Sequence, residues 1–580
     1  MSKHVSIRLF AAVSLAAMVL TPRLYAGPGR DHDGDRDTRH VLLISIDGMH
    51  AVDYENCVAA GTCPTLAALG TTGVNYTRTT TSRPSDSFPG LMALMTGGTP
   101  KTVGAFYDVA YDRVLAPPAT TTGNGLAAGT CTPNVINGTQ TEYEEGDEIN
   151  QTLVNGGGPY SLLDGGVLSI DPNKLVRDPF NNCNPVYPWN FIRTNTIYGV
   201  IHAAGRFTAW SDKHPVYAAV SGPTGTSSPS NVDDYYAPEV NSNVINLPGF
   251  KAANGLDCSN ISNNTSGDWT SDFDSIKCYD QLKVNAVVNW INGKSHLGGS
   301  NQPVPAIYGM NFQAVSVGQK LIEKINGTKV FGGYTDAAGD PTPSMAGEIA
   351  FVDAAIGQMV SALKAQDLLH KTTIIITAKH GQSPIDTHRF FPIPGPSGNN
   401  GMPPSQILAA LLPTAETTGL GPTEDDISQL WLTNSADTTQ AVGMLENNAA
   451  AAGIGQILYD ASLTTMFNAP GVPNNPGPCC RLREGGDPRT PDIIVLPNVG
   501  VVYTASKKKQ AEHGGFAHDD TNVILLVSNP RIRARTVTSF VETSQVAPTI
   551  LQLLGLDPNA LDAVRKEGTP VLPGLDQGDE

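Results

Sequence analysis

The sequence predicts an α/β fold: a three-layer sandwich in which helices cover both faces of a mostly parallel sheet, with large loop-rich insertions. Two observations support this fold class. Unbroken apolar runs rich in β-branched residues, VLLISID, TIIITA, PDIIVLPN and NVILLVSN, have the composition of strands buried on both faces. These runs alternate with segments whose apolar residues recur at helical spacing. In such sheets the chemistry collects at the carboxyl ends of the strands.

Residues 1–26 have the features of a secretory signal. Lys3 and Arg8 precede the apolar run LFAAVSLAAMVL, and the small-residue ending LYA places a cleavage site near Ala26. A membrane anchor is the alternative, but this run is too short to cross a bilayer, and no later stretch reaches about 20 apolar residues. We therefore expect a secreted or periplasmic protein without a membrane span, whose residues 27–39 form a flexible charged leader.

The first part of the α/β core is predicted over residues 40–113. VLLISI is a strand that stops at Asp47, and CPTLAALGTTG is a short helix closed by glycine. In RPSDSFPGLMALMTGGTP, Pro89 near the first turn and Gly97 at the end predict a helix from about Gly90 to Met95. Ser87 then lies at or just before the amino terminus of this helix.

The rest of the core is predicted in two parts that insertions separate. Residues 114–305 are dense in Gly, Asn, Ser, Thr and Pro, which indicates an insertion or cap, and residues 395–490 form a second insertion. Between them, residues 306–394 contain the helical pattern AGEIAFVDAAIGQMVSALKAQDLL followed by the strand TIIITA. Residues 491–580 contain the last two strand runs and complete the core.

The net charge limits the class of partner. The formal charge is −17, and the longest basic run is the KKK of residues 507–509, which disfavours nucleic acid as a stable partner. The expected substrate is an anionic small-molecule ester. An acidic protein needs a locally positive site to bind such a molecule.

The cysteines indicate disulfides rather than a metal cluster. Eight cysteines are an even number in a chain that is expected to be exported, and the absence of a CxxC pair gives a thiolate zinc site little support. The local pairings Cys57–Cys63 and Cys258–Cys278 are the simplest to propose. The vicinal residues Cys479 and Cys480 are expected to bond elsewhere.

Polar residues stand where strands end or helices begin. They are Asp47 after VLLISI, Ser87 before GLMALM, Lys379 and His380 after TIIITA, and His513 ahead of NVILL. Each has an ordinary structural explanation, since Asp-Gly is common in turns and serine is a common helix N-cap. Their joint occurrence indicates a single site. The helix that begins near Ser87 also favours a bound anion, because first-turn N–H groups and the helix dipole attract negative charge.

Five ordered segments resemble the alkaline phosphatase superfamily and, within it, the type I phosphodiesterase/nucleotide pyrophosphatase branch. They are HVLLISIDGM, SRPSDSFPGLMALMTGGTP, FVDAAIGQMVSALK with IIITAKHG, HGGFAHDDTNVILLV and SQVAPTILQLLGL. The resemblance implies a phosphoric ester hydrolase in which two metal ions, usually zinc, clamp oxygens on phosphorus while a threonine or serine alkoxide attacks. It implies that Asp47 is a metal ligand and that Ser87 is the nucleophile. It also implies that His380 corresponds to the histidine of the family's Asp-His-Gly and His513 to the family's late histidine.

Several family positions are different in this chain. Val315 and Gln319 in QAVSVGQ stand where the family has Asp and His, and Lys379 replaces the Asp of Asp-His-Gly. Gly90 stands where an Asn commonly follows the Phe-Pro after the nucleophile. A valine does not bind a cation, and a lysine ammonium repels one. The sequence therefore predicts at most one divalent metal ion, expected to be zinc. The ligands that remain are Asp47, Ser87 and His380 at one position and His513 at the other.

Lys379 has two interpretations. Its ammonium can substitute for a lost metal, as the positive partner of a substrate anion and of the Ser87 hydroxyl. Alternatively it pairs with Asp47 in an inactive site. The sequence also offers other ligands at lower weight: Asp336 and Asp340, whose Gly/Pro setting predicts a surface turn, and His518 and Asp519 as alternatives to His513.

Together these features predict an exported hydrolase of phosphate mono- or diesters. Ser87 is the expected nucleophile, Lys379 stabilises the anionic phosphoryl oxygens, and His513 is a metal ligand or a general acid. One alternative is a catalytically silent binding protein that keeps the phosphatase fold. Another is a sulfate or phosphonate ester hydrolase, although the sulfatase signature Cys/Ser-x-Pro-x-Arg is absent around Ser87.

Overall fold

The computed structural model describes residues 38–123, 125–143, 148–150, 167–263, 268–394, 401–414, 420–467 and 487–575. The predicted signal, the leader up to residue 37, and Cys479 and Cys480 lie outside these ranges.

An eight-stranded sheet forms the centre of the fold. Its strands, numbered in chain order, are β1 His40–Ile46, β2 Gly73–Tyr76, β3 Ala209–Ser211, β4 Asp234–Tyr236, β5 Ile307–Phe312, β6 Thr372–Thr377, β7 Leu526–Ser528 and β8 Arg535–Val537. Their order across the sheet is β8-β2-β7-β6-β1-β5-β3-β4. Strand β7 runs antiparallel to both its neighbours, and the other pairs are parallel. The predicted mostly parallel sheet is confirmed.

Helices cover both faces of this sheet, which makes three layers. The main flanking helices are α1 Ala51–Ala59, α2 Pro64–Gly70, α3 Ser87–Thr96, α4 Ile197–Ala203, α5 Phe273–Ile291, α6 Ala314–Lys320, α7 Pro343–Ala365, α8 Val546–Leu553 and α9 Asp562–Glu567. Strand β1 shows the arrangement, because its side chains alternate between the faces. Val41 and Leu43 belong to the apolar cluster with α3, α4, α8 and α9, whereas Leu42 and Ile44 belong to the cluster with α1, α2, α5, α6 and α7.

Helix α3 begins earlier than the sequence predicts. It starts at Ser87 instead of Gly90, because Pro89 in the first turn costs no helical hydrogen bond. It ends at Thr96 and is closed by Gly97, whose φ of 72° is the left-handed conformation that closes helices. The hydroxyl of Ser87 is therefore fixed at the first position of a buried helix.

The helical pattern ahead of TIIITA forms α7, as predicted, with the Thr342 hydroxyl accepting a hydrogen bond from the Met345 N–H at its start. Among the described residues, α7 is the helix that is long and apolar enough to cross a membrane. Half of its most apolar window is buried, and core helices of soluble proteins pass the same test.

The span predicted as the first insertion contributes to the central sheet. Strands β3 and β4 and helix α5 all lie within residues 114–305, and β3 pairs with β5 through Met310 and Ser211. Because these strands have three residues each, their hydrophobic pattern is too short to be recognised in a loop-rich sequence. The carboxyl end of β3 nevertheless lies on the same edge of the sheet as the ends of β5 and β1.

The strand in PDIIVLPN forms, but not in the core sheet where it was predicted. Ile493–Pro497 joins a separate antiparallel sheet with Thr423–Glu424, Ser428–Leu430 and Ile454–Tyr459. Its apolar residues pack with helix Thr438–Asn447. Apolar periodicity identifies a strand but does not identify its partners, so the sequence placed this one in the wrong sheet.

Three disulfides form among the described residues. Cys57–Cys63 and Cys258–Cys278 form as predicted. The third bond joins Cys131 to Cys183, which are 52 positions apart and were not paired from the sequence.

Candidate active site

Parallel strands bring the predicted polar residues to one edge of the sheet. Asp47 follows β1, Lys379 and His380 follow β6, and these strands are neighbours in register, with Ser45 opposite Thr377. The beginning of α3 approaches the same edge, so Ser87 lies beside His380. The structure thus brings together residues that are far apart in the chain.

The Ser87 hydroxyl lies 3.0 Å from Nε2 of His380. The other ring nitrogen of His380, Nδ1, is 2.8 Å from the Gly381 carbonyl, to which it must donate a hydrogen. This bond assigns the tautomer in which Nε2 carries a lone pair, so the Ser87 O–H donates to it. Burial lowers the pKa of His380, and the nearby His513 lowers it further. Ser87 and His380 therefore have the geometry of a hydroxyl and its general base.

Asp47 is fully buried and is contacted by two amide donors and two ammonium groups. Its Oδ1 accepts from the Asn311 amide at 2.7 Å, and its Oδ2 accepts from the Gln313 amide at 2.6 Å. The Lys379 ammonium lies 3.3 Å from Oδ2 and that of Lys213 lies 3.9 Å from it. Burial alone would raise the pKa of Asp47, but the Lys379 ammonium and the neighbouring His380 hold that pKa well below its ordinary value. Asp47 is an anion in this site.

The Lys379 ammonium lies between two carboxylates. It is 3.3 Å from Asp47 and 3.5 Å from Asp212, and it stands 4.5 Å from the centre of the Tyr217 ring. This contact agrees with the interpretation that Lys379 pairs with Asp47. The ammonium also belongs to the same strand-end cluster as Ser87, where it is placed to attract an anionic substrate.

Lys213 was not found from the sequence. Its ammonium donates a hydrogen bond to the Ser87 hydroxyl at 3.1 Å, and it reaches this position from the loop after β3. The rule that identified Asp47 and Lys379, charged residues directly after a strand, also applies to FTAWSDKH. The rule does not identify Lys213, because β3 has only three residues and shows no strand pattern in a span whose composition indicates an insertion.

His513 packs against His380, with ring centroids 4.0 Å apart, and its Nδ1 is 3.3 Å from Oδ1 of Asp86, the residue before Ser87. Its two alternatives lie elsewhere. His518 is exposed, and Asp519 accepts a hydrogen bond from the Ile385 N–H at 3.0 Å.

The other alternative ligands, Asp336 and Asp340, are exposed in a turn, as their setting predicts. They take no part in the cluster around Ser87.

The positions that depart from the family pattern have structural roles here. Val315 is fully buried in the apolar cluster of its sheet face. Gln319 donates from its amide to the Gly48 carbonyl at 2.6 Å and to the Tyr334 hydroxyl at 2.7 Å. Gly90 permits a close approach, since a Cβ there would lie 2.1 Å from the Lys379 carbonyl oxygen. None of these three residues is placed to bind a metal.

Helix α5 holds the carboxyl end of β5 in position. Asp280 accepts the backbone N–H groups of Gln313 and Ala314, each at 2.8 Å, and the Lys283 ammonium donates to the Asn311 carbonyl at 2.5 Å. Both charged side chains are fully buried and form an ion pair at 3.0 Å. This pair fixes the two amides that clamp Asp47.

The site does not fit the single zinc ion that the sequence predicts. A divalent ion on Asp47 and Ser87 would stand close to the ammonium groups of Lys379 and Lys213, which already contact those oxygens. At about 4 Å and an effective dielectric of about 20, each such contact costs about 8 kcal/mol. Among the residues that the structure describes, no group of three or more His, Cys, Asp or Glu side chains is arranged to hold a metal.

The family comparison agrees with the geometry. The family model for type I phosphodiesterase/nucleotide pyrophosphatase matches residues 41–159 and 331–520, which is more than half of the chain. The chain belongs to this family. Type I phosphodiesterases and nucleotide pyrophosphatases are phosphoric ester hydrolases. The matched spans contain Asp47, Ser87, His380 and His513, whereas Lys213 lies between them.

Solved structures of this type share the fold. One is murine ectonucleotide pyrophosphatase/phosphodiesterase 5, as an inactive threonine-to-alanine variant in complex with AMP. Its sequence is 14% identical to this chain, and the match has a TM-score of 0.50 and covers 90% of this chain and 96% of that chain. The murine protein without this substitution gives the same values. The human counterpart is 13% identical, with 89% and 95% covered and a TM-score of 0.47. A comparison with curated proteins found no significant match.

Proposed function

We propose that the protein is an exported hydrolase of phosphate mono- or diesters that uses Ser87 as its nucleophile. The observation that carries this proposal is the 3.0 Å contact between the Ser87 hydroxyl and the unprotonated Nε2 of His380. Family membership supports the class of ester. The position of Ser87 at the start of the ten-residue helix α3 supports an anionic substrate.

In the first half of the reaction, His380 takes the proton of Ser87 while the Ser87 oxygen forms a bond to phosphorus. The bond from phosphorus to the leaving oxygen breaks, and His513 gives that oxygen a proton. Lys379 supplies positive charge to the phosphoryl group. Asp47, 3.6 Å from Nε2 of His380, stabilises the imidazolium that forms.

His513 is neutral after the first half of the reaction. In the second half, water attacks the phosphoseryl group and gives a proton to His513. The bond from phosphorus to the Ser87 oxygen breaks, and His380 returns its proton to that oxygen. The sum of both halves is ester plus water giving phosphate, or a phosphate monoester, and an alcohol. Both histidines end in their starting protonation states.

Export is supported by two independent features. The sequence of residues 1–26 has the pattern of a secretory signal. Three disulfides join described cysteines, and such bonds persist in oxidising compartments. We therefore propose a secreted or periplasmic location.

Exchange of the nucleophile tests the mechanism directly. Ser87→Ala is expected to lower kcat at least about 10³-fold on p-nitrophenyl phosphate or bis(p-nitrophenyl) phosphate. Ser82→Ala is the matched control, because Ser82 is a buried serine on the same segment whose hydroxyl lies 3.5 Å from the Pro89 carbonyl. Equal rates for Ser87→Ala and Ser82→Ala would remove Ser87 from the mechanism. A nucleotide ester belongs in the substrate panel, since the murine structure contains AMP.

The role of His513 is tested through the leaving group. His513→Gln is expected to slow hydrolysis of an alkyl or phenyl phosphate ester much more than that of a p-nitrophenyl ester, because p-nitrophenolate leaves without a proton. An equal fold-decrease in the rate of hydrolysis of both esters would assign His513 a role other than general acid.

The contact between Lys379 and two carboxylates favours a second candidate, a catalytically silent protein that binds anionic ligands. An ammonium already paired with Asp47 and Asp212 has less attraction left for a substrate. This candidate predicts that the wild type hydrolyses no ester, yet binds phosphate or AMP by calorimetry. Turnover that Ser87→Ala abolishes would exclude it.

A further inference from the structure

Two lysines from different parts of the chain supply positive charge around Ser87. Lys379 follows the core strand β6, and Lys213 follows β3, 126 positions after Ser87. They contact the site at different atoms. Lys379 is 3.3 Å from Asp47, whereas Lys213 is 3.9 Å from Asp47 and donates to Ser87 at 3.1 Å.

The backbone around Lys213 is firmly held. Its carbonyl accepts hydrogen bonds from the Tyr279 hydroxyl at 3.1 Å and from the Val240 N–H at 3.0 Å. Its N–H donates to Asp212 at 2.9 Å, and Asp212 is itself fixed by the Trp210 indole at 2.8 Å. With 6% of its surface exposed, Lys213 is a preorganised donor instead of a mobile surface lysine.

The two ammonium groups lie where a metal would bind. A divalent ion held by Asp47 and Ser87 would stand beside Lys379, which is 3.3 Å from Asp47, and beside Lys213, which is 3.1 Å from Ser87. Like charges at such distances repel each other, whereas a metal-free site has no such cost.

We propose that Lys213 is a catalytic residue that, together with Lys379, takes the place of the divalent metal, so that hydrolysis requires no metal ion. This inference rests on the proposed function. Lys379 is the closer cation to Asp47, and the Lys213 ammonium donates to the Ser87 oxygen. The family pattern does not imply the role of Lys213, which lies outside the spans that match it.

The chemistry of an ammonium suits this position. As His380 removes the Ser87 proton, negative charge develops on an oxygen to which Lys213 already donates. When that oxygen bonds to phosphorus, the charge moves to the non-bridging oxygens, and the three N–H donors of the ammonium allow Lys213 to follow it. No proton leaves Lys213, so it acts by its charge and its hydrogen bonds.

The experiment compares metal removal with removal of Lys213. Full-length oxidised protein is dialysed against EDTA, its zinc content is measured by mass spectrometry, and hydrolysis of bis(p-nitrophenyl) phosphate is followed. The dialysed wild type is expected to keep its rate. Lys213→Met is expected to lower kcat by about 10²- to 10³-fold, as for loss of one preorganised donor. Lys277→Met is the matched control, because it removes another buried ammonium, one paired with Glu348 and Asp274.

Chemical rescue separates a catalytic role from a structural one. Methylammonium is expected to raise the rate of Lys213→Ala in proportion to its concentration. Tetramethylammonium, which has no N–H donor, is expected to give no increase, and Ser87→Ala is expected to respond to neither. Because only a folded site is rescued, this result does not depend on the stability of the variant.

The outcomes distinguish this inference from the function beneath it. Activity that dialysis abolishes and zinc restores would overturn the inference, while Ser87→Ala continues to test the nucleophile. A rate for Lys213→Met equal to that of the wild type, or a Lys213→Ala variant that methylammonium does not rescue, would also overturn it. A wild type that hydrolyses no ester before dialysis would refute the proposed function, and the inference with it.

Discussion

Removal of the Lys379 ammonium is the sharpest test of the charge arrangement. Lys379 and Asp47 are both fully buried, and their charged atoms are 3.3 Å apart. Lys379→Met keeps most of the side-chain volume and leaves Asp47 without its closest cation. The substitution therefore asks how strongly the fold depends on a buried ion pair.

The structure gives the scale of the effect. At 3.3 Å and an effective dielectric of about 20, the attraction between the two charges is about 5 kcal/mol. The Asn311 and Gln313 amides and Lys213 remain near Asp47, so part of this interaction is replaced. We expect Lys379→Met to lower the free energy of unfolding by about 3 kcal/mol, at the lower end of the range for broken buried pairs.

A double-mutant cycle in guanidinium chloride measures this coupling. The free energies of unfolding of Lys379→Met, Asp47→Asn and the double variant are compared under oxidising conditions. Asp47→Asn removes the unpaired charge, so the double variant is expected to be more stable than the sum of the single effects by about 1.5 to 3 kcal/mol. Additivity within about 0.5 kcal/mol would show that the two charges do not interact as the geometry requires.

Three further predictions concern other parts of the fold. Gly90→Ala is expected to lower kcat and to destabilise the protein by about 1 to 3 kcal/mol, because the new Cβ would lie 2.1 Å from the Lys379 carbonyl oxygen. Gly347→Ala is the control, since Gly347 in α7 has open space around it. In the same denaturation and activity assays this control is expected to be neutral or stabilising. Replacing Cys131 and Cys183 with serine is expected to lower the free energy of unfolding by about 2 to 4 kcal/mol with kcat unchanged, and an unchanged denaturation midpoint would contradict this. Burial raises the pKa of Asp520 to about 6 from 3.8, so between these pH values the folded protein keeps a proton that the unfolded chain releases. The stability that this proton contributes is complete below about pH 4 and is lost as the pH rises through about 6. Thermal unfolding is measured for the wild type and Asp520→Asn across this pH range. The Tm of the wild type should fall relative to that of Asp520→Asn as the pH rises, and parallel curves of Tm against pH would contradict this.

The sequence by itself determined the fold class and half of the site. Strand β1 and helix α3 follow from local patterns, a continuous apolar run and a proline and glycine at the two ends of a helix. Because parallel neighbours end at the same edge of a sheet, the positions of Asp47 and His380 after their strands were enough to predict that they meet. These predictions depend on short-range periodicity and chain direction, both of which are written in consecutive residues.

Only the tertiary structure decided which charges surround Ser87. Lys213 meets Ser87 across 126 positions, and Asn311 meets Asp47 across 264. Strand β3 has too few residues to show a pattern, and the pairing of Ile493–Pro497 with a separate sheet depends on partners that its own composition does not specify. A side chain's neighbours are set by strand order and by the packing of distant segments, so the donors around a buried hydroxyl are a property of the folded chain and not of any stretch of it.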